Sequence, residues 1–259
     1  MNLFRKIYKY IFHLLSARNS NGFGVHSPFI YNFTKFVLCE KCSFYIFPVI
    51  ENLRNNLKKD FRVLNVKDFG TGNDRSSIIS DIAKYALKSK KQGQLLFRIA
   101  HYIKAQNVLE LGTSLGVTTS YLASPSSKIK CVSLEGCPEI AQIAYQNFEK
   151  LEIKNIELIV GSIDETLETA INKFDILDLV FIDANHKSEA VLRYFELCLK
   201  KINRDSILIV DDIYWSGDME MAWQIIKNHS LVTSTIDIFE MGIVFFNTNL
   251  NKTHYKMRY

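Results

Sequence analysis

The sequence predicts an α/β fold, in which a mostly parallel sheet carries helices on both faces and follows a helical N-terminal extension. From residue 107 onward, short apolar runs alternate five times with helical stretches that have one apolar face. Repeated strand–helix–strand units of this kind need right-handed crossovers and a parallel sheet. The period then changes to that of strands, which predicts an antiparallel pair over residues 233–247.

The apolar runs are β-branched in part and short enough to be buried strands. They cover residues 108–111, 131–134, 156–160, 179–182 and 207–210. Pro138 suits the first turn of a helix, and Ser162 with Glu165 predicts a capping box after the third strand. The terminal pair is expected to turn through Met241 and Gly242.

The N-terminal part is predicted to be mainly helical. Ser27 followed by Pro28 is a good N-cap and first-turn pair, and residues 77–104 also have a helical pattern. The first 18 residues place their apolar side chains on one stripe and most of their basic side chains off it. The stripe consists of Phe4, Ile7, Tyr8, Ile11, Leu14 and Leu15. Such a helix suits an anionic membrane, a partner subunit such as a second copy, or its own domain.

Composition argues against several classes of protein. The chain has 259 residues with 32 Lys and Arg against 27 Asp and Glu, and residues 1–39 hold five of the basic residues and no acid. Subtracting those five leaves 27 basic and 27 acidic residues, a neutral body that argues against a nucleic-acid groove. No run approaches the ~18 to 20 apolar residues of a membrane span, and the first residues lack a secretory pattern. A cytoplasmic protein is therefore expected.

The cysteines agree with a reducing compartment. Five is an odd number for a disulfide framework, and a chain of this size builds its own core. Cys39 and Cys42 form a single CxxC without the second pair that a structural zinc site needs. They are interpreted as two thiols on a helix.

The strongest functional signal is VLELGTSLGVTTSYLA, residues 108–123, where a buried strand ends in Glu110, Gly112 and Gly116 before a helix. Glycines let the backbone turn sharply and approach a ligand, and the helix start offers free N–H groups. Glu135 lies 25 residues after Glu110, at the end of the second strand, where a carboxylate accepts the hydroxyls of a ribose. The two features together predict a nucleoside-binding site.

A second glycine turn, KDFGTGNDRSS over residues 67–77, is a competing nucleotide loop. About 20 to 25 residues after Asp68 the sequence is polar and free of acids, so no second strand supplies a ribose carboxylate. The turn is assigned either to a lid or substrate-side role or to an ordinary surface turn.

Five motifs follow one another in order: the glycine turn with Glu110, the acidic strand end at Glu135, VGSID (160–164), LVFIDANHKSEAVLRYFE (179–196) and ILIVDDIYWS (207–216). Together they resemble the class I S-adenosylmethionine-dependent methyltransferases. The most similar branch ends its fourth strand in Asp-x-Asp-His-x-x-x-x-Val and its fifth in Asp-Asp. This chain departs from that branch at Ala184 and Asn185.

The resemblance implies a Rossmann-like sheet of seven strands with an antiparallel last strand. It also implies S-adenosyl-L-methionine as cofactor, with its methionine end over the glycine turn, its ribose on Glu135 and its adenine near Gly161. The cofactor-binding residues implied in this way are Glu110, Gly112, Thr113, Ser114, Gly116, Glu135, Gly136, Gly161, Ser162 and Asp183. The alternation of strands and helices by itself would equally fit a sheet that binds NAD. The turn, however, lacks the G-x-G-x-x-G order that a pyrophosphate favours.

Asp183, Asp211 and Asp212 follow the fourth and fifth predicted strands, and ligands bind at the carboxyl ends of strands in open α/β sheets. Three carboxylates at one place repel one another unless a hard cation such as Mg²⁺ neutralises them. The resemblance to sugar and catechol O-methyltransferases implies a metal that chelates two acceptor oxygens. In the alternative, Asp211 caps a helix or bonds backbone N–H groups and Asp183 contacts the amine of the cofactor.

His186 is the candidate general base, because an imidazole titrates near neutral pH. Lys187 beside it is a second candidate, and a hydrogen-bonded loop role is the alternative for His186. Tyr214 and Trp215 either wall an aromatic pocket or pack in the core.

The predicted function is S-adenosylmethionine-dependent methylation of a small-molecule or glycan hydroxyl, assisted by a divalent metal and without a covalent enzyme intermediate. The alternatives are a nucleotide-dependent oxidoreductase and a non-catalytic cofactor-binding scaffold at a membrane or partner. Three parts are expected: a basic amphipathic helix over residues 1–20, a mainly helical extension or lid over 21–106, and the methyltransferase domain over 107–259.

Overall fold

The structure is a computed structural model that describes residues 3–66 and 75–259, with side chains from residue 5 onward. Most of the second glycine turn, residues 67–74, for which a lid or surface-turn role was predicted, lies outside the described residues. The chain forms two compact units. Unit 1 consists of Met1–Glu40 and Asp175–Tyr259, and unit 2 consists of Lys41–Phe174.

Helices and strands alternate along most of the described chain. The α-helices are α1 Leu3–Ser16, α2 Pro28–Phe33, α3 Ile46–Leu57, α4 Ile79–Tyr85, α5 Lys90–Tyr102, α6 Val117–Ala123, α7 Pro138–Lys150, α8 Ile163–Ile171, α9 Ser188–Leu199 and α10 Gly217–Asn228. The strands are β1 Val63–Val66, β2 Arg75–Ile78, β3 Asn107–Leu111, β4 Lys130–Glu135, β5 Ile156–Val160, β6 Leu179–Ile182, β7 Ile207–Asp211, β8 Ser234–Asp237, β9 Met241–Phe245 and β10 Thr253–Lys256. A 3-10 turn at Ser20–Gly22 and a π-helical segment at Thr34–Leu38 complete the N-terminal part.

Unit 2 contains three parallel strands in the order β3-β4-β5. Val108 lies opposite Cys131, and Cys131 lies opposite Ile156. Helices α6 and α7 connect these strands in the way that parallel pairing requires. A buried apolar cluster that includes Phe47 and Tyr121 fills the unit. The antiparallel hairpin of β1 and β2 interrupts a region that was predicted to be mainly helical.

Unit 1 contains strands in the order β10-β8-β9-β7-β6. The pair β6 and β7 is parallel, whereas β9 is antiparallel to both β7 and β8. The antiparallel pair at the end of the chain is therefore confirmed. Its turn, however, falls at residues 238–240, and Met241 with Gly242 belongs to β9. Gly242 packs flat against Trp223, because an added Cβ would lie 2.5 Å from the indole ring.

The predicted α/β class and all five predicted parallel strands are confirmed. Apart from the hairpin, the two units hold eight strands in the described part of the chain, one more than the resemblance implied. The additional strand is β10, which pairs in parallel with β8.

Helix capping follows the sequence at one predicted site and departs from it at the other. Ser27 Oγ accepts the backbone N–H of Ile30 at 3.3 Å, as expected for the start of α2. Ser162 is the N-cap residue of α8, but its side chain makes no capping hydrogen bond, so the capping box with Glu165 is wrong. A capping box does occur at the start of α5, between Ser89 and Gln92.

Cys39 and Cys42 lie in the segment after Thr34–Leu38 and not on a helix, which corrects that expectation. Neither forms a disulfide within the described part of the chain. The boundaries predicted after residues 20 and 106 do not coincide with the two compact units, and the three-part division stays a prediction. Among the described helices, none has the length and apolar character needed to cross a membrane.

Helix α1 packs within unit 1, but not through its predicted apolar stripe. His13 and Ala17 are buried, whereas Tyr8, Ile11 and Leu15 are 69%, 51% and 76% exposed. The helix is held by the face that carries His13, and the stripe is left facing outward.

Candidate active site

The glycine turn, defined here as residues 110–117, connects β3 to α6 through left-handed backbone. Gly112 has φ 100°, Ser114 has φ 49° and Gly116 has φ 78°. Gly116 is required for a second reason, because an added Cβ would lie 2.6 Å from the ring of Phe148. The backbone conformation therefore favours glycine at positions 112 and 116, and at Gly116 the space does so as well.

A buried set of hydroxyls and one carboxylate holds the glycine turn in place. Glu110 is fully buried, and its carboxylate accepts hydrogen bonds from the hydroxyls of Ser133, at 2.6 Å, and Thr119. The Ser133 hydroxyl also meets that of Thr113 at 2.5 Å. These hydrogen bonds to the carboxylate of Glu110 therefore stabilise the conformation of the glycine turn.

Glu135, at the end of β4, faces the glycine turn. Its carboxylate accepts the backbone N–H of Ser114 at 2.8 Å and that of Cys137 at 2.9 Å. Burial raises the pKa of this carboxyl, while hydrogen bonds from backbone N–H groups oppose the rise. Gly161, with φ 143°, donates its N–H to the backbone oxygen of Glu135 at 2.9 Å. Glu135, Gly161 and the turn are thus brought together within unit 2, with Gly136 and Ser162 beside them in the chain.

In unit 1, β6 ends before Asp183 and β7 ends at Asp211. Because the two strands are parallel neighbours, the residues that follow them meet at one edge. One ligand atom from each of Asp183, His186 and Asp212 lies within 4.8 Å of the other two. All three residues are partly buried. The structure therefore brings together two of the three predicted metal ligands and adds a histidine.

The third predicted ligand, Asp211, is buried as the last residue of β7 and is not part of this group. Its role as a metal ligand stays a prediction. Lys187 is exposed at the N-cap of α9, outside the group. His186 was expected to be a base or a hydrogen-bonded loop residue and not a metal ligand, although its position three residues after Asp183 places both residues in the same turn.

Two of the residues around this group have strained backbone. Asn185 has φ 56° and Asp212 has φ 51°, both in the left-handed region that side chains disfavour. Strain of this kind costs of order 1 to 3 kcal/mol and is concentrated at functional sites. The left-handed backbone at Asp212 and Asn185 thus helps to set the positions of the Asp212 carboxylate and of His186.

A small open pocket adjoins the group and is called the Trp215 pocket. Its lining residues are Lys6, Asp212, Tyr214, Trp215, Phe239 and Glu240. The ring of Trp215 lies 5.8 Å from that of His186. Both aromatic residues predicted as wall candidates, Tyr214 and Trp215, therefore line this pocket. Lys6, Phe239 and Glu240 were not predicted, because nothing in their local sequence distinguishes them.

The donor chemistry fits the two groups that the resemblance implies. The two carboxylates are ligands of the kind that Mg²⁺ and Mn²⁺ prefer, whereas an imidazole is more typical of softer transition metals. In unit 2, a carboxylate at a strand end and backbone N–H groups around a glycine turn suit the ribose and the amino-acid end of a nucleoside cofactor.

Comparison with known proteins finds a family match within the chain. The sequence pattern of a family described as a methyltransferase domain matches residues 109–213, which contain the glycine turn, Glu135, Asp183, His186 and Asp212. These residues are similar to a methyltransferase domain. The resemblance to class I methyltransferases is confirmed.

Three relatives illustrate the range of this domain. A catechol O-methyltransferase of Mycobacterium tuberculosis is 32% identical over 133 residues, which are 50% of this chain and 58% of that protein. A tRNA (guanine-N(7)-)-methyltransferase of Mycoplasma mobile is 36% identical over 83 residues, 31% of this chain and 40% of that protein. An O-methyltransferase from Bacillus cereus, solved with S-adenosylhomocysteine, shares the fold at 21% identity with a TM-score of 0.56, covering 83% of this chain and 96% of that one.

The chain spans about half the length of the curated relatives it matches. The shared part is the methyltransferase domain, and the two curated relatives act on different acceptors by name. The acceptor must therefore be argued from the residues of this chain.

Proposed function

We propose that the protein is an S-adenosylmethionine-dependent O-methyltransferase that acts on a hydroxyl of a small molecule and uses a divalent metal. The observation that carries the proposal is the group of Asp183, His186 and Asp212 at the strand ends of a methyltransferase domain. A base-methylating enzyme needs to bind polyanionic RNA, and the neutral charge of the chain after residue 39 does not favour such a partner.

The cofactor-binding residues proposed here belong to unit 2. Bound S-adenosylmethionine would supply an electrophilic methyl group for an in-line displacement. Glu135 would accept hydrogen bonds from the ribose hydroxyls, and Gly112 and Gly116 would let the backbone of the glycine turn approach the amino-acid end. Gly161 and Ser162 would lie beside the adenine, and Glu110 would keep the turn in shape through Ser133 and Thr119.

The acceptor residues proposed here belong to unit 1. Asp183 and Asp212 would hold Mg²⁺ or Mn²⁺, and the bound metal would lower the pKa of a coordinated acceptor hydroxyl. His186 has two possible tasks at this position, as a third ligand or as the base that takes the hydroxyl proton. Trp215 would offer an aromatic face to a planar acceptor, which agrees with the catechol in the name of one relative.

The experiment has a binding arm and a transfer arm. We expect titration calorimetry to detect binding of S-adenosylmethionine and S-adenosylhomocysteine and to detect none of NAD. We expect transfer of labelled methyl from S-adenosylmethionine to 3,4-dihydroxybenzoate, loss of transfer with EDTA, and recovery with Mg²⁺ or Mn²⁺. NAD binding would favour the oxidoreductase, whereas cofactor binding without transfer to this probe or to fractionated cell metabolites would favour the scaffold.

We also propose that the outward face of α1 binds an anionic membrane surface. Tyr8, Ile11, Phe12 and Leu15 recur at helical spacing and are 51 to 76% exposed. Residues 1–39 and 241–259 contain basic residues and no acid, although Arg5 and Lys9 of α1 pair with Glu220. Lys256 Nζ lies 5.8 Å from the ring of Phe12. An apolar stripe flanked by cations is the pattern of helices that lie in the interface of anionic membranes.

Vesicle sedimentation tests the membrane proposal. Vesicles of phosphatidylglycerol and phosphatidylcholine should bind the protein in low salt and release it as salt is raised, whereas phosphatidylcholine alone should bind it less. Leu15→Ser should weaken binding, and Tyr85→Ser, at an 85% exposed position outside α1, should not. A concentration-dependent dimer that Leu15→Ser dissociates, with no vesicle binding, would assign the face to a second copy.

A further inference from the structure

The Trp215 pocket is partly built by the N-terminal helix. Lys6 of α1 lines it, and Lys6 Nζ lies 6.0 Å from the centre of the Trp215 ring. Asp212 belongs both to this pocket and to the group that includes His186. Helix α1 therefore reaches the place where an acceptor would lie under the proposed function.

A buried polar chain connects α1 to the same place. His13 is buried, and its Nε2 donates to the backbone oxygen of Met257 at 3.0 Å. Its Nδ1 lies 3.4 Å from Asp237 Oδ1, an ion-pair distance for a protonated imidazole, and makes no hydrogen bond in the described part of the chain. The hydroxyl of Tyr214 donates to the other oxygen of Asp237, Oδ2, at 2.5 Å. Tyr214 lies two residues after Asp212 and one before Trp215.

Aromatic contacts run in parallel with the polar chain. The ring of Phe239 lies 5.0 Å from that of Tyr10, 5.5 Å from that of His13 and 5.4 Å from that of Tyr214. Phe239 is held at φ 74°, and its backbone N–H donates to Asp237 at 2.9 Å. The same residues that bind α1 thus also fix one wall of the Trp215 pocket.

A helix does not need buried polar side chains such as His13 and Asp237 merely to pack against the rest of its domain. The outward stripe of α1 is apolar, and apolar side chains on the inward face would bury without the desolvation that His13 and Asp237 carry. Burial lowers the pKa of His13 and Asp237 opposes that change, so the inward face keeps a titratable pair where an apolar one would pack. What the polar chain adds is a fixed position for the hydroxyl of Tyr214.

We propose that His13 and Asp237 are positioning residues that hold Tyr214, and through it the segment from Asp212 to Trp215, so that α1 is a working part of the acceptor site. This inference rests on the proposed function, because only that function makes the Trp215 pocket an acceptor site. It assigns the N-terminal helix a role in the reaction as well as in packing.

Tryptophan fluorescence gives a readout that needs no substrate. The chain has two tryptophans, of which Trp223 is fully buried and Trp215 is 42% exposed, so quenching by acrylamide reports on Trp215. Tyr214→Phe removes only the hydroxyl, and His13→Leu removes the polar group of α1. Both variants should increase the quenching of Trp215 at a temperature well below their unfolding midpoints.

The kinetic arm uses 3,4-dihydroxybenzoate as acceptor. His13→Leu and Asp237→Asn should raise its KM by about tenfold, since small displacements at a site carry large costs, and should leave the dissociation constant of S-adenosylmethionine within twofold. Tyr85→Ser, at an 85% exposed position outside α1, is the control and should change neither KM nor quenching. Tyr214→Phe should resemble His13→Leu and guards against a variant that simply fails to fold.

Unchanged quenching and unchanged KM in folded His13→Leu and Tyr214→Phe would overturn the inference. If the unaltered protein methylates no acceptor, the proposed function fails, and the quenching result still decides whether α1 positions Tyr214. The two failures are therefore distinguishable.

Discussion

The glycine turn and the Trp215 pocket differ in how far along the chain their partners lie. In the glycine turn, Glu110 bonds Thr119 and Ser133, and Ser114 bonds Glu135, at separations of 9, 23 and 21 residues. At the pocket, α1 is tied by contacts that span more than 200 residues, such as His13 to Met257 at 244. One region is built by a strand, a turn and the next strand, whereas the other is completed only when distant segments of unit 1 have assembled.

The two regions also treat backbone strain differently. The glycine turn places glycine at two of its left-handed positions, where the conformation costs little. Unit 1 places Asn185, Asp212 and Phe239 at such positions, where it costs more. The glycine turn thus uses glycine at two left-handed positions and a side chain only at Ser114, whereas the acceptor region keeps side chains at all three. Of those three, Phe239 is the most strained, because Asn and Asp adopt the left-handed conformation more readily than a bulky residue.

The largest expected effect breaks the glycine turn. Gly116→Ala combines a left-handed φ with a Cβ 2.6 Å from the Phe148 ring, so the free energy of unfolding should fall by about 2 to 4 kcal/mol. The control is Gly24→Ala, where φ is +65° and the nearest neighbour lies 3.7 Å away, and the loss should be about 1 kcal/mol. Urea unfolding measures both. Equal losses would show that the contact with Phe148 relaxes and that the turn is less rigid than described.

The next effect tests whether Glu135 binds the cofactor. Glu135→Gln should weaken S-adenosylmethionine binding by about 1.5 to 3 kcal/mol, the range for hydrogen bonds to a charged group. Burial raises the pKa of Glu135 above its ordinary value of 4.5, so affinity should fall as pH drops through that raised value and the carboxylate gains a proton. Calorimetry across pH should show this dependence in the unaltered protein and lose it in the variant. An affinity unchanged by the substitution would remove the ribose assignment.

The raised pKa of Glu135 makes folding stability and cofactor affinity change in opposite directions with pH. Because the folded-state pKa of Glu135 is raised, ionising the carboxyl costs stability as pH increases from 4.5 through the raised value. Glu135→Gln removes that cost. At neutral pH, urea unfolding should therefore show a variant no less stable than the parent protein. A less stable variant would mean that the bonds to Ser114 and Cys137 contribute more than the ionisation costs.

The third effect sharpens the description of the acceptor region. Asp183→Asn and Asp212→Asn keep the shape and remove a charged ligand, so each should weaken Mn²⁺ binding by about tenfold or more, which is 1.4 kcal/mol or more. The control is Asp205→Asn, whose exposed side chain pairs only at the surface with Arg204. Electron paramagnetic resonance of free Mn²⁺ measures the binding without any acceptor.

His186→Ala distinguishes the two tasks of that residue. If His186 is a ligand, the variant loses Mn²⁺ affinity in the same assay. If it is the base, Mn²⁺ binding persists, and the lost rate of methyl transfer is partly recovered at higher pH, where more of the acceptor hydroxyl is ionised. Full Mn²⁺ binding in both aspartate variants would show that the group formed with His186 is structural.

The comparison also explains what could be predicted from the sequence. The strands and the glycine turn were predictable because apolar period and glycine spacing are local properties, and partners about 20 residues away follow from strand pairing. Lys6, Phe239 and the pair of His13 and Asp237 were not, because their partners come from distant segments. The hairpin of β1 and β2 was missed because its second strand, Arg75–Ile78, has no apolar alternation.

The smallest effect concerns Ser162, the residue of the cofactor region where a local pattern gave a wrong prediction. Ser162 precedes α8 without a side-chain bond, whereas the hydroxyl of Ser89 accepts the backbone N–H of Gln92 at 3.3 Å in a complete capping box. Both residues belong to unit 2, so urea unfolding reports on them in the same way. Ser89→Ala should cost about 1 kcal/mol, and Ser162→Ala should cost less than about 0.5 kcal/mol. Losses of equal size would mean that Ser162 caps α8 in solution, and its hydroxyl would then be engaged by the helix and less available to the adenine proposed beside it.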